Sequence, residues 1–168
     1  RFSLFTVINI SFCAAQNRDV MSAYQRNMQP LLVKITSAPT DNERYNANEM
    51  FVQMFEEALH VDESIEWTWD FGTTVSVLTS SDRQFRIITW PVVRDNCEYE
   101  CFGFVQSYNS KTEEYDVYVL HDKSDEMISV NEQVLDPDNW YGSVYQELIE
   151  AKHDGKMYYT LLGWTGVN

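Results

Sequence analysis

The apolar residues change their period near Trp67, and that switch limits the possible folds more than any other feature of the chain. Before it they recur every three or four residues; after it they alternate. Met21, Tyr24, Met28, Leu31, Leu32 and Ile35 form one apolar stripe, which predicts a helix over 17–35. Pro30 interrupts the stripe and is expected to kink the helix or start a new turn, and Ser37-Ala38-Pro39 ends it. Thr40-Asp41-Asn42-Glu43 then fits a capping box, with Thr40 as N-cap and Glu43 reaching back. Ala47, Met50, Phe51, Met54, Phe55, Ala58 and Leu59 follow at helical spacing. Glu49, Gln53, Glu56 and Glu57 take the opposite face, so a second helix should run to about His60.

Beyond Trp67 the pattern predicts strands over 74–79, 85–90, 99–108, 115–120, 142–151 and 157–162. Pro91 is expected to stop the second. Ser80-Ser81-Asp82-Arg83, the stretch 109–114 and His153-Asp154-Gly155 supply turns between them. The segment 123–138 is an acidic connector with room for one short strand. Strands in chain order joined by tight turns form an antiparallel meander, and helices that all precede strands make the class α+β. The expected architecture is therefore two N-terminal helices packed on a meander of about six strands. It is a single domain over 16–168, helical over 16–66 and sheet over 67–168.

The last two predicted strands are apolar or aromatic on both faces. Val144 and Leu148 point one way, Tyr145 and Ile149 the other; Met157, Tyr159 and Leu161 oppose Tyr158, Leu162 and Trp164. A strand with one face in water alternates apolar with polar, and an exposed rim carries charges or Pro. This ribbon is therefore expected to be central, covered, or paired with another chain.

The first fifteen residues differ in kind. Arg1 precedes a mostly apolar run ending at Phe12, and Cys13-Ala14-Ala15 closes it on small residues. That is the pattern of a secretory signal peptide over 1–15, cleaved after Ala15. The alternatives are a lipid anchor through Cys13 and a buried N-terminal strand. The run is too short to span a bilayer. Removal of the signal would leave Cys97 and Cys101, which stand roughly 13 Å apart on a continuous strand and so need a turn to form a disulfide. Two free, semi-buried thiols are the expected state. With 26 Asp+Glu against 12 Lys+Arg, the net charge of −14 repels phosphate backbones and anionic membrane surfaces, which argues against nucleic acid as a partner.

Chemistry-bearing patterns are sparse. His60, His121 and His153 show no metal-ligand spacing, and no Gly-rich phosphate loop or Gly-x-Ser-x-Gly turn is present, so no cofactor is expected. The stretch HDKSDE offers Asp122, Asp125 and Glu126 as oxygen ligands for calcium, without the spacing or Gly of an EF-hand; a solvated acidic loop is the ordinary alternative. Aromatics are the better lead. Trp140 and Tyr141 follow the turn-forming Asp136-Pro137-Asp138-Asn139, and Trp164 lies in the final turn. Aromatic rings beside acids such as Asp138 suit sugar or peptide stacking, although Trp and Tyr at strand ends also close cores.

ERYNAN (43–48), LTSSDRQFRIITW (78–90), FGFVQ (102–106), DPDNWYGSVY (136–145) and YYTLLGW (158–164) together resemble a family of uncharacterised secreted proteins from Bacteroidota-type bacteria. The resemblance covers most of the chain in order. It departs at Ser81, where the family has Pro, and at Thr165, where it has Asp. It implies a signal peptide, helices before a sheet, and a chain continuing past the last turn; it implies no activity. The expectation is a secreted or periplasmic binding domain that offers an aromatic sheet face or edge to a protein, carbohydrate or peptide. The rival is a secreted hydrolase with a carboxylate or thiol site, for instance at Asp138 or Cys101.

Overall fold

A computed structural model describes residues 4–127 and 134–166, with side chains from residue 16 onward. The chain order is two helices, α1 (Leu4–Ser37) and α2 (Asp41–Leu59), then six strands: β1 (Ser76–Thr79), β2 (Phe85–Val93), β3 (Tyr99–Asn109), β4 (Glu114–Leu120), β5 (Val144–His153) and β6 (Lys156–Trp164). The class is α+β. The strands divide into two sheets rather than one meander: β1-β2-β3-β4 is a four-stranded antiparallel sheet, and β5-β6 is a separate antiparallel hairpin. The short strand expected within 123–138 falls partly on 128–133, outside the described residues. The rest of that connector contains two single 3₁₀ turns, Ser124–Glu126 and Pro137–Asn139.

Two local expectations need correction, those for the N-terminus and for Pro91, and the one for Pro30 is narrowed, since no new helix starts there. Residues 4–15 continue α1 and are helical, which removes the N-terminal strand alternative. Pro30 lies inside α1, which runs on to Ser37. Proline lacks the N–H that would reach the carbonyl four residues back, so the cost falls on one bond while the apolar stripe on either side holds the helix. Pro91 likewise lies within β2, paired with Cys101. The reason is register. Cys101 sends its N–H to Asp122 on the β4 side, so Pro91 and Cys101 form a non-hydrogen-bonded pair. The Pro91 nitrogen therefore faces the side where β1 would continue, and β1 reaches only Thr89.

The cap of α2 is as expected in outline. Thr40 Oγ1 accepts from Glu43 N–H at 3.4 Å, but its hydroxyl also donates to Glu43 Oε2 at 2.9 Å, so Glu43 meets the Thr40 side chain and not its backbone. Both helices pack on one face of the four-stranded sheet. Phe51 and Phe55 meet Trp90 and Phe104 in edge-on or stacked contacts 5.1–6.2 Å apart, and Trp69 and Phe71 close the same cluster. Met21, Met28, Leu31, Leu32 and Ile35 contribute the stripe of α1.

Alternation along β2 explains why FRIITW is apolar on both sides. Ile88, Trp90 and Val92 enter the helix-side core, while Ile87 enters a second cluster with Cys101, Leu120, Trp140 and Val144 on the other face. The β5–β6 hairpin and the segment before it cover that second face. Among the described residues no helix is long and apolar enough to cross a membrane.

Candidate functional site

The β5–β6 hairpin forms its own sheet beside the four-stranded one. Its turn needs left-handed backbone at two successive positions. Asp154 (φ 48°) and Gly155 (φ 78°) supply it, the Asp-Gly pairing that two-residue hairpins favour. A register shift between Tyr145 and Glu147 bends β5 against the larger sheet. Leu161 and Tyr159 face that sheet, with Tyr159 edge-on to Phe85 at 4.8 Å. The turn between β1 and β2 clasps the hairpin: Ser81 N–H donates to Glu150 Oε1 at 2.6 Å, Ser81 hydroxyl donates to Glu150 Oε2, and Tyr159 hydroxyl donates to Asp82. The bond to the Asp82 carboxylate pushes the Tyr159 phenol up to about 12 and draws the Asp82 carboxyl below its ordinary value.

The outer face of the hairpin is open. Tyr158 and Leu162 lie two positions either side of Thr160, and Ile149 is the cross-strand partner of Thr160, so the three share one face. They are 51%, 46% and 44% exposed respectively. The ribbon was expected to meet water on neither side. In the single chain one side is covered and the other is not. Among the described residues the outer edge of β6 is also unpaired, β6 bonding there to β5 alone.

The residues singled out in the sequence do not converge. Trp140 is only 5% exposed; it packs among Ile87, Cys101, Leu120 and Val144, and its Nε1 donates to Tyr145 hydroxyl at 3.0 Å. Trp164 is half-buried, edge-on to Tyr99 at 5.5 Å. Tyr141 is half-buried, and Asp138 is exposed on its 3₁₀ turn with His121 Nε2 3.9 Å away. No stacking platform is formed by these four.

Asp122, Asp125 and Glu126 are drawn apart by separate partners. Asp122 accepts Cys101 N–H on Oδ2, and Ser124 N–H, Ser124 hydroxyl and Gly142 N–H on Oδ1. That carboxylate ties the end of β4 to the start of β5, helped by backbone bonds from Trp140 N–H to the His121 carbonyl and from Lys123 N–H to the Trp140 carbonyl. Asp125 pairs with Arg94 at 3.3 Å and Glu126 with Lys123 at 2.8 Å. Among the described residues no three His, Cys, Asp or Glu side chains stand together as a metal site.

Cys97 and Cys101 are both free, Cys97 exposed and Cys101 buried. Burial, with the Asp122 charge adding to it, pushes the Cys101 thiol up to about 12, so it stays protonated and a poor nucleophile near neutrality. Among the described residues neither thiol is hydrogen-bonded to a histidine.

Sequence reasoning identified the ribbon and put its candidate binding residues at the aromatic ends. The exposed triad Ile149, Tyr158 and Leu162 was visible as half of the two-sided pattern; which half faced outward depended on packing. The chain matches no model of a known protein family, no curated protein and no solved structure.

Proposed function

We propose that this chain is a secreted or periplasmic binding domain that captures an extended polypeptide along β6. One observation carries the reading: a nine-residue strand with an unpaired edge lies beside an exposed apolar stripe of Ile149, Tyr158 and Leu162. An unpaired strand edge offers alternating N–H and C=O groups, whose complement is another backbone. The adjacent stripe would select alternate apolar side chains in that added strand. A peptide suits this surface better than a sugar, because Trp140 is in the core and Trp164 is engaged by Tyr99, leaving Tyr158 as the open aromatic ring of the hairpin. Export rests on Arg1, the apolar run after it and the small residues Cys13-Ala14-Ala15.

The test is selection of peptides from a random displayed library on the immobilised chain, followed by hydrogen exchange of the complexes. Selected peptides should alternate apolar residues and protect the amides of β6. Tyr158→Lys and Leu162→Lys should abolish capture and leave the unfolding midpoint unchanged, since both side chains are already half in water. A monodisperse monomer that selects no peptide sensitive to these two changes would remove the reading.

A further inference from the structure

A groove of about 470 Å³ lies between α2 and the β3–β4 edge, on the opposite side of the sheet from the hairpin. One face of α2 supplies Tyr45, Asn48 and Val52, residues at helical spacing, and the sheet supplies Glu100, Phe102 and Val119. The volume lies in the range of about 300–1,000 Å³ usual for small-molecule sites, and the walls are apolar with a few polar groups, as such sites are.

Two polar atoms in the groove have no partner among the described residues, and each has a fixed identity. Asn48 is only 3% exposed. Its Oδ1 accepts from Trp90 Nε1 at 2.7 Å. An indole N–H can only donate, so the amide cannot be flipped. Its Nδ2, with two N–H donors, makes no hydrogen bond among the described residues and is not sealed from solvent, which reaches it through the groove that Asn48 lines. Such a donor is open to an acceptor that enters the groove. Glu100 is the second. Its Oε2 accepts from Tyr45 hydroxyl at 2.6 Å and from Arg94 at 3.1 Å, which holds the carboxylate in place, while Oε1 accepts from no described residue.

A held donor and a held acceptor in one apolar groove match the C=O and N–H of an amide. We propose that this groove is a binding site for a small uncharged amide with an apolar body, its carbonyl accepting from Asn48 Nδ2 and its N–H donating to Glu100 Oε1. Val52, Phe102 and Val119 hold the apolar part. Glu100 Oε1 can only accept, so a ligand carboxylate set against it offers no proton, while Lys123, also in the lining, is paired with Glu126 at 2.8 Å. The site is independent of strand capture at β6 and lies on the other face of the sheet.

The probe is N-acetyl-leucinamide, titrated into the ¹⁵N-labelled full chain and followed by amide shifts. Shifts should be confined to α2 and the facing parts of β3 and β4. N-acetyl-leucine, which carries a carboxylate in place of the terminal amide, should bind at least about tenfold more weakly. Asn48→Asp keeps an acceptor for Trp90 and removes the donor, and should weaken the amide about tenfold. Val52→Trp fills the groove from the half-buried face of α2 and should abolish the shifts. If Asn48→Asp does not fold, Val52→Trp and the amide–acid comparison decide alone. Absence of shifts near the probe's solubility limit, shifts that persist in Val52→Trp, or equal binding of amide and acid would each overturn the site.

Discussion

Gly142 donates its backbone N–H to Asp122 Oδ1 at 3.1 Å, in a place where a Cβ on residue 142 would stand 2.0 Å from Asp122 Oδ2. The carboxylate that joins β4 to β5 therefore needs the absence of a side chain opposite it. Gly142→Ala must displace Asp122, and with it the bonds to Cys101, Ser124 and residue 142 itself. We expect a loss of about 2–4 kcal/mol in urea unfolding, the scale of a broken buried polar network. A change below about 0.5 kcal/mol would show that the carboxylate has room to move.

The two thiols should behave differently. At pH 8 a thiol reagent should modify Cys97 at once, while Cys101 should react only as fast as the chain opens. The folded value of Cys101, about 12, lies above the unfolded value of roughly 8.5. Its contribution to stability is thus intact below about pH 8.5 and is lost as the pH climbs toward 12, because the unfolded chain releases the proton first. Cys101→Ala should flatten that part of the alkaline limb. Equal labelling of both thiols in the folded protein would contradict the burial.

Arg86 is a buried cation that no carboxylate among the described residues touches. Its Nε donates to Thr79 Oγ1 at 2.9 Å, Nη1 to Ser64 carbonyl at 3.1 Å, and Nη2 to the carbonyls of Ile65 and Trp67. Burial draws its pKa down to about 10. The guanidinium satisfies the carbonyls of Ile65 and Trp67, and shares that of Ser64 with Trp67 N–H, where the loop crosses from α2 to the sheet. Arg86→Met should cost about 2–4 kcal/mol by stranding those carbonyls, and Arg86→Lys should not restore it, since one ammonium cannot reach three separated acceptors. Thermal and urea unfolding of the two variants measure this.

Glu150 should act as a latch. Glu150→Ala removes both bonds to Ser81 and leaves Tyr159–Asp82 as the remaining side-chain tie at that end. Native-state hydrogen exchange should then show faster opening of β5 and β6, by about five- to thirtyfold for a local loss of roughly 1–2 kcal/mol, with β2 and β3 unchanged. Uniform loss of protection across all six strands would mean that the hairpin and the larger sheet open as one unit.

Local chemistry was legible in the sequence wherever the deciding residues were close in the chain. The stripe ending at Leu59, the Thr40 cap and the Asp154-Gly155 turn each depend on residues within a few positions of one another, and each stands in the structure. Pro91 misled because its effect depends on where β1 begins, fifteen residues earlier in sequence at Ser76 and one strand away in space. Trp140 misled for a similar reason. A turn-forming Asp-Pro-Asp-Asn stretch does lie before it, but a parallel bridge to Asp122 turns the indole inward.

The sequence by itself determined that helices precede strands, that the strands pair antiparallel, and that the final ribbon is apolar on both sides, because periodicity records which side chains share a face. It could not record what lies against each face. Only the tertiary structure decided that six strands split into four and two, that the hairpin turns Leu161 and Tyr159 inward, and that Ile149, Tyr158 and Leu162 are left facing water. Those outcomes depend on contacts between residues as distant as Ser81 and Glu150, and burial is a property of the packed whole rather than of any stretch of chain.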